Sequence, residues 1–375
     1  MKKNDLILII PFLMFIFTFG LLYFFIPDIE FSESENKYLQ QLPQVSFKSL
    51  MNGSFESDFE EYLSDQIAGR DFWVQCNTVL LLASGQKDVN GVYVGDNGYL
   101  LEIFDNLDMD RYEKQISALN KFATYMDVPV YFTVSPNSVS ILADNLPEFA
   151  VNYSQDKYIS DFYNGLSSDI TTINISDVLK LHSEEYVFYK TDHHWTTYGA
   201  YLAFNEIISA MGHTPISEDD VVKTVVSEDF KGTFYSKGNF VVDSDIISRY
   251  DIKNSPEITV TLDDGTVCDS LYDESYLDKK DKYGYFSHGN PAHLKIETNV
   301  GNGKTLVIVK DSYMHCMLPF FTMYYSEIHM LDPRYIKTNL TEYIKTLEPD
   351  EILILYNAKT LSDDVNFTRL GTEPK

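Results

Sequence analysis

The run Thr305–Lys310, Thr-Leu-Val-Ile-Val-Lys, constrains this chain more than any other stretch. Four consecutive apolar residues are too few for a buried helix and too continuous for a half-exposed strand, which would alternate. They fit a strand covered on both faces, as in a parallel sheet with helices on either side. Similar β-rich runs lie at Val128–Val134, Ile170–Ile175, Glu327–Leu331 and Glu351–Tyr356. Helical spacing precedes or separates them at Arg111–Met126, from about Gln155, and at Thr197–Met211 with Gly212 as its stop. The expected fold class is α/β: a three-layer α/β/α domain with a mostly parallel sheet, whose site residues sit just after the strands.

Outside this alternation the pattern changes. Lys2 and Lys3 precede an apolar run from Leu6 to Ile26, and Asp28, Glu30, Glu33 and Glu35 follow it. A run of about 20 apolar residues crosses a bilayer as a helix, and the flanking charges place the N-terminus inside. No small-residue cleavage site ends it, so residues 1–27 are expected to stay as a single-pass anchor at the cell membrane, with residues 28–54 as a polar tether. Residues 55–375 are expected to form the α/β domain. It opens on two amphipathic helices broken at Gly69 and a hairpin turning at Asn97-Gly98. Short polar β pieces at about 215–294 predict an insertion or lid.

A formal net charge of −27 excludes nucleic acid as partner, since phosphate binding draws on clustered Lys and Arg. Cys76, Cys268 and Cys316 have neither disulfide-framework nor metal-ligand spacing. They are read as structural thiols, and no cofactor motif is read.

Two segments carry chemistry. In Asp192-His193-His194, a carboxylate two residues before a histidine leaves an extended backbone on the same side, as an orienter and a base would, with His193 pointing away. Paired histidines ahead of a helix also cap and pack, and all three residues are metal-ligand types. The other histidines, at 182, 213, 288, 293, 315 and 329, supply no companion motif, so no metal site is read. In Lys310-Asp311-Ser312-Tyr313, Ser312 directly follows the strongest strand, and the turn after it could present backbone N–H groups to an oxyanion. A post-strand serine is also a common helix cap. As a nucleophile it would need a base from elsewhere, which His194 can supply.

Together these segments resemble the DHHW family and, more distantly, the alginate O-acetylation proteins, which share an SGNH-hydrolase-like domain. The resemblance runs from Asn36…Leu42-Pro43 through Phe59-Glu60-Glu61-Tyr62, Arg70, Asn90-Gly91-Val92-Tyr93-Val94-Gly95, Ser135-Pro136-Asn137 and Asp192-His193-His194-Trp195 to Val309-Lys310-Asp311-Ser312-Tyr313. It implies Ser312 as nucleophile, His194 as base and Asp192 as orienter. Asn137, His193, Trp195 and Tyr313 are weaker candidates for substrate or oxyanion binding. Lys310 stands where the SGNH pattern has glycine. The implied function is transfer of acetyl groups to hydroxyls of a cell-surface polysaccharide, with a multi-span membrane acyltransferase as donor. An acetylesterase shares the same triad. A non-catalytic glycan-binding protein is the reading outside enzymology, since tyrosine-rich surfaces stack on sugars.

Overall fold

The computed structural model describes residues 3–105 and 107–374, without the side chains of residues 3–6 and 24. The chain divides into two compact units, Met1–Asn90 with Tyr235–Val241, and Gly91–Phe234 with Val242–Lys375.

The first unit is helical. Helix α1 (Lys3–Phe25) carries the N-terminal apolar run, and α2 (Ser54–Asp65) and α3 (Arg70–Ala83) are the two expected amphipathic helices. Gly69 separates them at φ 71°, a left-handed conformation that suits glycine. Trp73 of α3 packs edge-on against Phe15 and Phe19 of α1, with ring centroids 5.8 and 5.5 Å apart. Residues 28–54, read as a tether, carry structure of their own. Phe31–Ser32 pairs with Lys37–Tyr38, and the buried Asp65 carboxylate accepts from Gln40 N (2.8 Å) and pairs with Lys37 (3.2 Å) and Arg70 (3.1 Å). Among the described residues, no helix is long and apolar enough to cross a membrane. Helix α1 stands where the anchor was expected, but Lys2 and the Lys3 and Leu6 side chains used in that reading lie outside the described residues.

The second unit is a mixed α/β body around an eight-stranded, mostly parallel sheet. Its strands are β1 (Val130–Ser135), β2 (Ile170–Thr172), β3 (Ile258–Leu262), β4 (Val267–Cys268), β5 (His293–Thr298), β6 (Thr305–Lys310), β7 (Glu327–Leu331) and β8 (Glu351–Asn357). They lie in the order β4-β3-β5-β7-β6-β8-β1-β2. The block β7-β6-β8-β1-β2 is parallel, and β5, β3 and β4 extend it antiparallel. Leu306–Val309 of β6 are fully buried, as the apolar run required. The chain leaves β6 for β7 on one side and then crosses to β8 on the other. That reversal falls at the carboxyl end of β6, the kind of place where α/β sheets bind ligands.

Residues 215–294 are not a body apart from the sheet. Their second half supplies β3, β4 and the start of β5, and their first half forms a bulged antiparallel ribbon of Val221–Phe230 with Asp245–Ile252. Their polar sequence reflects half-exposed antiparallel strands, which show water one face.

Candidate functional site

Ser312 follows β6 and opens a single 3-10 turn, Ser312–Met314. The cap of that turn is taken by its neighbour: Asp311 Oδ1 accepts from Tyr313 N at 2.9 Å. Asp311 Oδ2 accepts from the backbone N–H and side-chain amide of Asn357 at the end of β8, both at 2.7 Å. The capping use of a post-strand serine is therefore filled by Asp311, and Ser312 Oγ is left to face His194. The Asp311, Tyr313, Met314 and His315 N–H groups donate to Leu355 O, Asp311 Oδ1, Asp311 O and Ser312 O. Among the described residues, the Ser312 N–H has no protein acceptor. A second oxyanion donor from the N–H groups at 313–315, expected from the turn, is thus not on offer.

The Asp192 segment is the tip of a short hairpin. Phe188 bridges Trp195, and Tyr189 N and Thr196 N donate to His194 O and Val187 O. Buried Asp245, at the start of the ribbon's second strand, accepts from Tyr186 Oη, Lys190 N, Thr191 N and Thr191 Oγ1 and so shapes the loop. Residues 191–194 are bent, not extended. Asp192 reaches His194 because its Oδ1 accepts from both the N–H (3.0 Å) and the Nδ1–H (2.5 Å) of His194, an Asx-type turn. This corrects the expectation that alternation sends His193 away. Its ring lies 3.8 Å from the His194 ring at 38°, its Nδ1 donates to Thr233 Oγ1 at 2.7 Å, and it sits 3.6 Å from Asp192 Oδ1.

With Nδ1 donating to Asp192, Nε2 of His194 is the acceptor for the Ser312 hydroxyl, 2.7 Å away. Asp192 Oδ2 takes the Thr233 N–H (2.8 Å) and hydroxyl (3.1 Å). A Cβ on Gly232 would fall 2.2 Å from both Asp192 Cβ and Oδ2, so only glycine allows this approach. Burial pushes the Asp192 carboxyl up, but the two histidine rings and its hydrogen bonds outweigh this and hold it well below the carboxylate range. His194 is lowered to about 4, by burial first and the charge of His193 second, against the opposing pull of Asp192. At neutral pH the arrangement is a carboxylate, a neutral imidazole and a half-buried hydroxyl in line, fit to draw a proton from Ser312.

The weaker candidates fare differently. Trp195 is fully buried with Nε1 bonded to Tyr313 O at 2.9 Å, and Tyr313 is fully buried with its hydroxyl on His193 O. Both tie the His194 loop to the Ser312 turn and present no surface to a substrate. Asn137, after β1, spends its two amide hydrogens on Tyr313 Oη and Asn357 Oδ1, each at 3.0 Å, leaving none for an oxyanion. His193 alone of the four keeps partial exposure, 28%. Thr233, Gly232, Asp245, Asn357 and Tyr283, whose ring lies on His194, escaped the sequence reading because no local spacing marks them.

Asp192, His193 and His194 offer donor atoms within 4.8 Å of one another, a grouping that could hold a metal ion. Both ring nitrogens of His194 and both Asp192 oxygens are already hydrogen-bonded, so a cation there would have to displace one of these partners.

Fold and site define the class: a mixed α/β protein that assembles Asp, His and Ser at the carboxyl end of a mostly parallel sheet. Residues 81–331 match the model of the DHHW protein family, and the chain belongs to that family. It is similar to a DHHW family protein from Eubacterium siraeum, at 24% identity and TM-score 0.66 over 77% of this chain and 97% of that one. It is also similar to PatB1 of Bacillus cereus, at 23% identity and TM-score 0.63 over 74% and 98% of the two chains. The O-acetyltransferase domain of Pseudomonas putida AlgJ aligns at 13% identity and TM-score 0.48, over 75% and 98%. No curated protein matches the chain.

Proposed function

We propose that this protein is a serine acyl-ester enzyme, an O-acetyltransferase that moves acetyl groups onto hydroxyls of a cell-surface polysaccharide through an acyl-Ser312 intermediate. The observation that carries the reading is the continuous chain Asp192 Oδ1–His194 Nδ1 (2.5 Å) and His194 Nε2–Ser312 Oγ (2.7 Å). Ser312 Oγ attacks the donor carbonyl while its proton passes to His194 Nε2, and the Ser312 N–H faces the developing oxyanion. Collapse expels the donor's leaving group, which takes the proton from His194. The acceptor hydroxyl then gives its proton to His194 and attacks the acyl carbon, and Ser312 Oγ leaves with that proton. Acetyl and polysaccharide are the finer part of the proposal and rest on the motif resemblance to the alginate O-acetylation proteins. In the same reading residues 1–27 anchor the protein with its N-terminus inside, the site lies outside the cytoplasm, and a multi-span membrane acyltransferase supplies the acetyl group.

Half-exposed Ser312 supports water as the competing acceptor, which would make the enzyme an acetylesterase. The test is release of product from a chromogenic acetyl ester, with and without an oligosaccharide acceptor. Ser312→Ala and His194→Ala are each expected to lose turnover by about 10³-fold or more, and Asp192→Asn by somewhat less. Acetylated oligosaccharide should accumulate with the wild type. A Ser312→Ala protein that turns over like wild type would sink the reading. Acetate as the only product would leave the esterase.

A further inference from the structure

We infer that Tyr283 is the positioning residue of the His194–Ser312 pair: its ring fixes the plane of the base, and its hydroxyl lies against the turn that carries the serine. The inference rests on Ser312 being the nucleophile. Tyr283 lies in the 3-10 turn Lys282–Tyr285, far from both partners in sequence. Its ring stacks on the His194 imidazole at 3.7 Å and 11°. The His193 ring lies 3.8 Å from the same imidazole. Two rings that close cannot share one face, so His194 is held between them, and rotation of its otherwise broad ring torsion is blocked. The Tyr283 hydroxyl lies 3.3 Å from Ser312 O and 3.3 Å from Cys316 Sγ. One side chain thus touches the base and the backbone of the nucleophile.

Tyr283 is buried, and burial keeps its phenol neutral, so it remains a donor at any pH the enzyme meets. When the Ser312 Oγ–H bond breaks and the Nε2–H bond forms, His194 becomes a cation lying on the face of the Tyr283 ring. That face attracts it, so the stack favours the state formed during turnover over the resting one. The same ring keeps water from the imidazole, and burial is the first cause of its lowered pKa.

The experiment compares Tyr283→Phe and Tyr283→Leu in the full chain, with kcat and KM for a chromogenic acetyl ester measured across pH. Phe keeps the ring and should retain most of kcat. Leu removes the ring and should lower kcat by about ten- to a hundredfold with KM changed by less than about threefold. Its acid limb should move up toward the ordinary histidine value, because water reaches the imidazole. If Leu fails to fold by circular dichroism, Tyr283→Met, of similar bulk without a π face, replaces it in the comparison. Wild-type-like kcat and an unmoved acid limb in the ring-less variant would overturn the inference, as would a Phe variant as impaired as Leu. A wild type that neither turns over the ester nor is labelled at Ser312 by a sulfonyl fluoride would overturn the parent reading instead.

Discussion

At His194 burial and pairing pull in opposite directions, and burial wins: the imidazole is lowered to about 4 although its Nδ1 lies on a carboxylate. A general base works in its neutral form, so turnover should be flat through neutral pH and fall only as pH drops through about 4 and the ring protonates. A kcat/KM profile for a chromogenic ester checks this; an acid limb near the free-histidine value of about 6.5 would contradict it. Chelation is the second test at this scale. Because the site's donors are bonded to one another, EDTA should leave turnover unchanged. Loss restored by zinc or manganese would favour a metal-holding role. Asp192, His194 and Ser312 were legible in the sequence because a carboxylate–histidine pair and a post-strand serine are chemically marked residues. Gly232, Thr233, Asp245 and Tyr283 were not, because each acts through a contact some 40 or more residues away along the chain. The bend at 191–194 was hidden for a related reason: the Asx-type turn of Asp192 is held in place by Asp245, more than 50 residues away.

The elements were readable in proportion to their burial. Strands β6 and β8 are covered on both faces and appear as continuous apolar runs, whereas β3 alternates and looked like part of an insertion. Strand β6 also shows how the chain tolerates Lys310, which is fully buried beside the site. Its ammonium is lowered to about 8 by burial, against the pull of Asp332. It pairs with Asp332 just after β7 (3.2 Å) and donates to Asn290 Oδ1 (2.6 Å) and His315 Nε2 (2.8 Å). Asp332 also holds Arg334 at 2.6 Å, so one carboxylate offsets two cations. Removing it strands a buried charge, which costs about 3–5 kcal/mol. Asp332→Asn should therefore lower the urea midpoint strongly, with an unchanged m-value. A midpoint within error of wild type would mean that Asn290 and His315 suffice for the ammonium.

On the scale of the whole molecule, every residue placed in the site belongs to the unit of Gly91–Phe234 and Val242–Lys375. Its sheet has its own buried core from β1 to β8, and Asp245, Thr233, Tyr313 and Asn357, which bond to the His194 loop and the Ser312 turn, belong to that unit. Helix α1 belongs to the first unit, where Phe15 and Phe19 pack on Trp73. The proposed anchor and the proposed chemistry are therefore separable. Full-length protein should sediment with membranes and keep its N-terminus, while a chain lacking residues 1–27 should be found in the soluble fraction. Because no described residue of α1 is among those placed in the site, the shortened protein should turn over a small water-soluble acetyl ester within about threefold of wild type. Transfer from a donor embedded in the membrane should fall much further, since the anchor raises the effective concentration of the two proteins. N-terminal sequencing of the membrane fraction and both activity assays decide it. An N-terminus beginning near residue 30 would remove the anchor, and equal loss in the two assays would show that α1 is needed for the fold and not for proximity to the donor.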